Sequence, residues 1–208
     1  VVINSGVANA CTGQLGLSYC RQTAEAAAHG FGIDPLEVLV ASTGVIGQQI
    51  PIDKITAGCG MLKEKLGSAR EDGLSCAKAI MTTDTVKKEF AVEFDLDGKK
   101  VTIGAIAKGS GMIHPNMATM LCFITTDCMI KKELLQKALS DIVKDTFNMI
   151  SVDGDTSTND SVLLMANGMA ENKLIAEEDE NYAKFYEALY YIMEELSKKI
   201  AGDGEGCT

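Results

Sequence analysis

Lys108-Gly-Ser-Gly-Met-Ile-His-Pro-Asn-Met-Ala-Thr-Met-Leu-Cys-Phe-Ile124 is the stretch on which the reading of this chain turns. It opens with a cation and a flexible glycine turn. It passes Pro115, which cannot donate to a sheet ladder. It then enters the apolar run Thr119–Ile124, which predicts a buried strand. Thr119 therefore stands at the mouth of a strand, directly after a constrained loop. A hydroxyl there can be aimed into a cleft and held by the sheet behind it. Threonine is also a favoured strand residue, and most strand threonines only fill space.

Upstream of this stretch, Lys88–Leu96 and Lys100–Ile106 alternate apolar and polar residues around Asp97-Gly98. That pattern predicts a hairpin with a two-residue turn. Its second strand feeds Lys108 into the central stretch. Downstream, Lys131–Phe147 predicts a helix with Leu134, Leu135, Ala138, Leu139, Ile142 and Val143 apolar. Ser161–Ala166 predicts a strand. A longer helix over Asn181–Ala201 carries Tyr182, Phe185, Leu189, Ile192 and Leu196 on one face.

The first third predicts a strand at Val1–Ile3 and a polar turn over Asn4–Gly13, whose asparagines bond loop backbone groups. A helix over Leu17–His29, ended by Gly30, follows. Asp34-Pro35 caps a brief helical turn. A strand at Leu36–Ala41 leads into Ser42-Thr-Gly-Val-Ile-Gly47. Helices from Pro51 to near Leu66 and from Leu74 to Met81 complete this part. Strands and helices alternate irregularly about a central hairpin. That favours a mixed α/β protein over a doubly wound parallel one.

Of the 208 residues, 46% are hydrophobic, enough for a packed globule. The net charge of −10 argues against a nucleic-acid partner, because phosphate binding needs a basic surface. It suits a cationic substrate or simply a solvated acidic surface. Cysteines stand at Cys11, Cys20, Cys59, Cys76, Cys122, Cys128 and Cys207, with no Cys-x-x-Cys pair. That pattern points to reduced thiols in a cytoplasmic compartment. With only His29 and His114, no zinc site is expected. Asp153-Gly-Asp has the start of a calcium loop, but Thr158 and Leu164 occupy the positions that need Gly and Glu. No metal, nicotinamide or flavin is implied, since no glycine-rich dinucleotide fingerprint occurs. No apolar run reaches membrane-spanning length.

Read from residues alone, Thr43-Gly44 offers a hydroxyl and an amide able to hold a developing oxyanion. It serves equally as an ordinary strand-to-loop turn. Met81-Thr-Thr-Asp-Thr85 presents hydroxyls that either cap helix carbonyls or face a substrate. Lys108 reads as a solvated surface lysine, against which stands its place beside a glycine turn in the apolar part of the sequence, and Glu205, between glycines, as a solvated loop residue.

Five stretches, in order, resemble the glutamate N-acetyltransferase / ornithine acetyltransferase family of arginine biosynthesis. They are Asn4–Gly13, Ala41–Gly47, Met81–Thr85, Lys108–Leu121 and Ser151–Asp160. The resemblance runs from the first residue to the last. It implies a sandwich of two β-sheets flanked by helices. It also implies self-cleavage between Ala118 and Thr119, so that Thr119 becomes the N-terminal nucleophile of a second subunit. Residues 1–118 would match the family's α chain and 119–208 the start of its β chain, giving an α/β heteromer. Family members are longer, which implies further chain before Val1 and beyond Thr208.

By the same resemblance, Thr43 and Gly44 form the oxyanion hole. Thr82 (chosen over Thr83), Lys108, Thr119 and Glu205 bind substrate; Cys207 replaces the family's alanine after Glu205-Gly206. The implied enzyme is an acyltransferase that moves the acetyl group of N-acetylornithine to glutamate, with acetyl-CoA as a further candidate donor and no resident cofactor. Two other expectations stand beside it. One is an amidohydrolase or peptidase with an N-terminal threonine; the other is an inactive binding fragment.

Overall fold

The Asp97-Gly98 turn is formed as its residues dictate. Asp97 has φ 55° and Gly98 φ 80°, the left-handed pair that matches the twist of two antiparallel strands. The Asp95 side chain accepts from the Gly98 amide at 2.9 Å and closes the turn. This hairpin comes from a computed structural model that describes residues 1–111, 120–152 and 157–204. Ala118, Thr119, Glu205 and the calcium-like Asp153-Gly-Asp lie outside the described residues.

The chain divides into two compact units, Val1–Thr82 and Thr83–Thr208. In the first, β1 (Val2–Asn4) pairs in parallel with β2 (Val40–Ser42), Val2 opposite Val40 and Asn4 opposite Ser42. Three helices follow the pattern of the sequence: α1 (Gly13–Phe31), α2 (Ile52–Leu62) and α3 (Arg70–Ala79). The expected stop at Gly30 is not the stop. Gly32, at φ 70°, takes the left-handed cap and returns its amide to the Ala28 carbonyl at 2.8 Å. Gly30 is carried inside the helix. The strand expected from Leu36 also starts later. Asp34 accepts from Leu36 N at 2.8 Å and Glu37 accepts from Asp34 N at 3.1 Å. This capping box winds Pro35–Glu37 into a 3₁₀ turn, and Leu36 is left 93% exposed.

The second unit is a four-stranded sheet of β3 (Lys88–Leu96), β4 (Lys99–Lys108), β5 (Leu121–Thr126) and β6 (Ser161–Ala166), in that order. The first two pairings are antiparallel and β5–β6 is parallel, so the sheet is mixed as predicted. α4 (Lys132–Ile142) stops short of Phe147. The chain tightens into 3₁₀ turns at Val143–Asp145 and Phe147–Met149, broken by Thr146 at ψ −94°. α5 (Glu180–Gly202) is capped by Asp179, which accepts from Tyr182 N at 2.9 Å.

The predicted face of α5 is the buried one: Tyr182, Phe185, Leu189, Ile192 and Leu196 all lie in the core. They meet Val101, Ile103, Ala105 and Ala107 of β4 and Cys122 and Ile124 of β5. Each large side chain buried in this way contributes about 1.5–3 kcal/mol. Leu121 and Phe123, on the other face of β5, are buried too, as an unbroken apolar strand requires. Among the described residues no helix is long and apolar enough to cross a membrane.

Candidate functional site

In the first unit Thr43 and Gly44 follow β2 and run beside the loop after β1. Thr43 donates its amide to the Asn4 carbonyl at 3.1 Å and faces Val7 in an antiparallel bridge. Val45 N bonds Gly6 O at 3.1 Å, Ala8 N bonds Val45 O at 2.9 Å, and Gly47 N bonds Ala10 O at 3.0 Å. The Ser42 hydroxyl accepts from Asn9 N at 2.7 Å. The asparagines support the loop as predicted: Asn4 donates to Val7 O at 2.8 Å and Asn9 to Gly16 O at 2.9 Å. Two loops are thus zipped together by backbone bonds.

Glycine at 44 is required twice over. Its φ is 129°, and a Cβ would run into the Gly6 carbonyl and stand 2.6 Å from Val7 N. The zipper needs backbone against backbone at this point. Thr43 itself is 1% exposed.

In the second unit Lys108 ends β4 opposite Leu121 and is 1% exposed, not a solvated surface lysine. The residues after it are pinned. Gly109 N donates to Asp84 Oδ1 at 2.7 Å, and the hydroxyls of Ser110 and Thr83 are 2.7 Å apart. Asp84 Oδ1 also accepts from Lys88 Nζ at 2.7 Å. Lys88, 0% exposed, reaches Asp203 Oδ2 at 2.5 Å on its other side. Asp203 accepts in turn from Thr85 N at 3.1 Å and from the Thr85 hydroxyl. Burial pushes the Asp203 carboxyl up, but the Lys88 ammonium and the Thr85 bonds outweigh it and hold the group below the ordinary carboxylate value.

This cluster joins three stretches that sequence reading singled out. Asp84 is two residues past Thr82, Gly109 follows Lys108, and Asp203 is two residues before Glu205. Thr82 is exposed and closes the first unit; its neighbour Thr83 is the one tied to Ser110. Sequence reading missed Lys88, Asp84 and Asp203. Lys88 is in phase with the inward-facing Phe90, Val92, Phe94 and Leu96, but lysine is seldom buried, and its partner Asp203 lies 115 residues away.

Asp160 was missed as well, read only as the end of a polar loop. Its Oδ1 accepts from the Met120 amide at 2.8 Å, while Ser161 N bonds Met120 O at 3.2 Å. Its Oδ2 is buried with no hydrogen-bond partner. Burial lifts this carboxyl to about 7, against the opposite pull of the Met120 amide, the Ser157 hydroxyl and the Lys108 charge. A signal was present: an acidic residue immediately before an apolar strand is free to reach the mouth of the strand beside it.

The first unit offers a buried threonine and a backbone turn that requires glycine; the second offers, by itself, a buried lysine and a carboxyl of raised pKa. The ArgJ family model matches residues 1–208. The chain is similar to the arginine biosynthesis bifunctional protein ArgJ 1 of Clostridium acetobutylicum, 58% identical across all of this chain and 50% of that one. It is 52% identical to the ArgJ protein of Listeria monocytogenes serotype 4b, covering 51% of it. Among solved structures it resembles the ArgJ protein of Bacillus halodurans, at 46% identity and a TM-score of 0.52 over 56% of this chain and 60% of that one. The chain spans about half the length of the curated relatives it matches. Because the family model takes in every residue from Val1 to Thr208, the chain belongs to the ArgJ family.

Proposed function

We propose that this chain is part of an acetyltransferase of arginine biosynthesis that cuts itself between Ala118 and Thr119 and then uses Thr119 as its nucleophile. The observation that carries the reading is that the family match includes the whole of Lys108–Leu121. A threonine hydroxyl is a poor nucleophile until a base takes its proton. Freed as an N-terminus, Thr119 has its own α-amine, of pKa near 8, to do so.

The cycle has two halves. Thr119 Oγ1 attacks the acetyl carbon of N-acetylornithine, ornithine leaves with the proton, and acetyl-threonine remains. Glutamate then attacks the acetyl-threonine through its amine and leaves as N-acetylglutamate. Thr43 and Gly44 stabilise the oxyanion in both halves, a role suited to a turn whose backbone is fixed by the zipper. Lys108 takes the substrate α-carboxylate and Glu205 the cationic end, and Thr82 is a further substrate contact. Acetyl-CoA is a further candidate donor, and the cycle as written needs no resident cofactor. The two pieces stay together as an α/β heteromer in the cytoplasm.

An intact-mass spectrum of the full-length protein tests the reading. Wild type is expected as two pieces, the second beginning at Thr119, and Thr119→Ala as one folded, inactive chain. Active wild-type protein of uncut mass would end the proposal. Acetyl release to water at the same rate with and without glutamate would turn it into an amidohydrolase.

A further inference from the structure

Lys108 is the last residue of β4, and the sheet holds it unevenly. Among the described strands, β4 pairs with β3 only as far as Lys88–Ala107 and with β5 as far as Lys108–Leu121. Gly109 then leaves the strand at φ 151°, a conformation that residues with side chains rarely adopt. From the chain that leads into β3, Asp84 Oδ1 accepts from Gly109 N at 2.7 Å. The peptide that joins Lys108 to Gly109 is thereby held where the ladder with β3 has already stopped.

Asp84 is itself held. The same Oδ1 accepts from Lys88 Nζ at 2.7 Å, and Lys88 reaches Asp203 Oδ2 at 2.5 Å. The side chains of Asp84 and Lys88 are 1% and 0% exposed. Stability alone does not call for such a cluster, since apolar side chains of similar volume often fill a space of this kind without loss. What the ions add is direction: a carboxylate oxygen fixed at one point beside one amide.

We propose that Asp84 is a positioning residue for substrate binding: through the Gly109 amide it fixes the backbone of Lys108, and with it the base from which the ammonium reaches the substrate α-carboxylate. The inference rests on the reading of Lys108 as the residue that takes that carboxylate. The groups that carry it, Asp84, Lys88, Lys108, Gly109 and Asp203, all belong to the second unit. Lys88 and Asp203 act one step further out, by keeping Asp84 in place. The substrate α-carboxylate keeps its charge throughout acetyl transfer. A misplaced Lys108 therefore weakens ground state and transition state alike, and the loss falls on KM rather than on kcat.

Steady-state kinetics of the full-length protein, with N-acetylornithine and glutamate varied in turn, test this; KM does not depend on what fraction of a preparation is active. Asp84→Ala is expected to raise both KM values about tenfold, with kcat within about threefold of wild type. Asp84→Asn keeps an oxygen for both bonds that Oδ1 accepts but not the charge. It is expected to melt lower than wild type while its KM values stay within about threefold. In a Lys108→Met background, whose KM values are themselves raised, adding Asp84→Ala is expected to change KM less than about twofold. The full tenfold rise in that background, or an Asn variant as impaired in KM as the Ala variant, overturns the proposal. So does an Ala variant that melts lower with KM unchanged. If Asp84→Ala yields no active protein, the triple variant Asp84→Ala, Lys88→Met, Asp203→Asn takes its place, because it leaves no charge of the cluster unpaired. The same KM rise is expected in it; wild-type KM values, or no activity, overturn the proposal. Lys108→Met with wild-type KM values removes the underlying reading instead, a result visible without any change at Asp84.

Discussion

Around Thr43 and Gly44 the chain is held by amides, carbonyls and neutral side chains. Around Lys108 it is held by an ammonium and two carboxylates taken out of water. The first region depends on close approach, so it depends on a glycine. The second depends on charge pairing. Taking ions out of water is strongly unfavourable, and only good geometry with several bonds per ion offsets it. The neutral region should be indifferent to pH, and the charged one should not. A turn that must stay rigid gains from backbone bonds. Three chain segments that sit far apart in sequence gain from one long side chain whose ammonium donates to two carboxylates.

The largest effect is expected from Lys88→Met. It keeps the stem but leaves Asp84 and Asp203 without their shared cation. Breaking a buried pair in this way destabilises by about 3–5 kcal/mol, measured as a lower urea midpoint at pH 7. The loss should shrink in acid, where the orphaned carboxylates take up protons. A loss under about 1 kcal/mol, of the size seen for exposed pairs, would mean that the cluster is solvated and the contrast with the Thr43 region false.

Gly44→Ala probes the other side. A left-handed alanine costs about 1–3 kcal/mol from strain, and the Gly6 carbonyl must also give way. This loss should be the same at pH 5 and pH 8, because nothing in the zipper titrates. A pH-dependent loss would break the distinction between the two regions.

The difference also governs what the sequence could reveal. Asp97-Gly98 was legible because the turn is decided by two neighbouring residues. The buried face of α5 was legible because its spacing repeats over about four turns of one helix. Thr43-Gly44 was legible as a turn, but the partner that makes its glycine obligatory, Gly6, lies far upstream and nothing in the sequence pairs the two. Leu36 misled, because its apolar neighbours suggested a strand while Asp34 and Glu37 had already closed a capping box. The lysine cluster was only half legible: alternation sets Lys88 on the inward face with Phe90, Val92, Phe94 and Leu96, but the pairing that makes burial of its charge possible depends on Asp203 at the far end of α5. Asp160 was hidden for the same reason, since its meaning comes from a strand forty residues upstream.

The smallest effect is expected from Asp203→Asn, and it separates pairing from mere packing. The carboxamide keeps the size and can still accept from Thr85, while Asp84 still holds Lys88. What is lost is one charge-assisted bond, about 1.5–2 kcal/mol at pH 7. The sign of its pH dependence follows from the direction of the shift. Asp203 is held below its ordinary value in the folded protein, so its contribution is present above the unfolded pKa, near 3.9. It is lost as pH falls through the lower, folded value, because there both states carry the proton. Wild type and Asp203→Asn should therefore differ in melting temperature at pH 7 and converge below about pH 4. Asp160 runs the other way: raised to about 7, its charge opposes folding as pH climbs from about 4 to 7. Asp160→Asn should thus melt no lower than wild type at pH 8. If Asp203→Asn keeps its deficit undiminished at pH 3.5, the side chain acts by shape and Lys88 is not its partner in the sense argued.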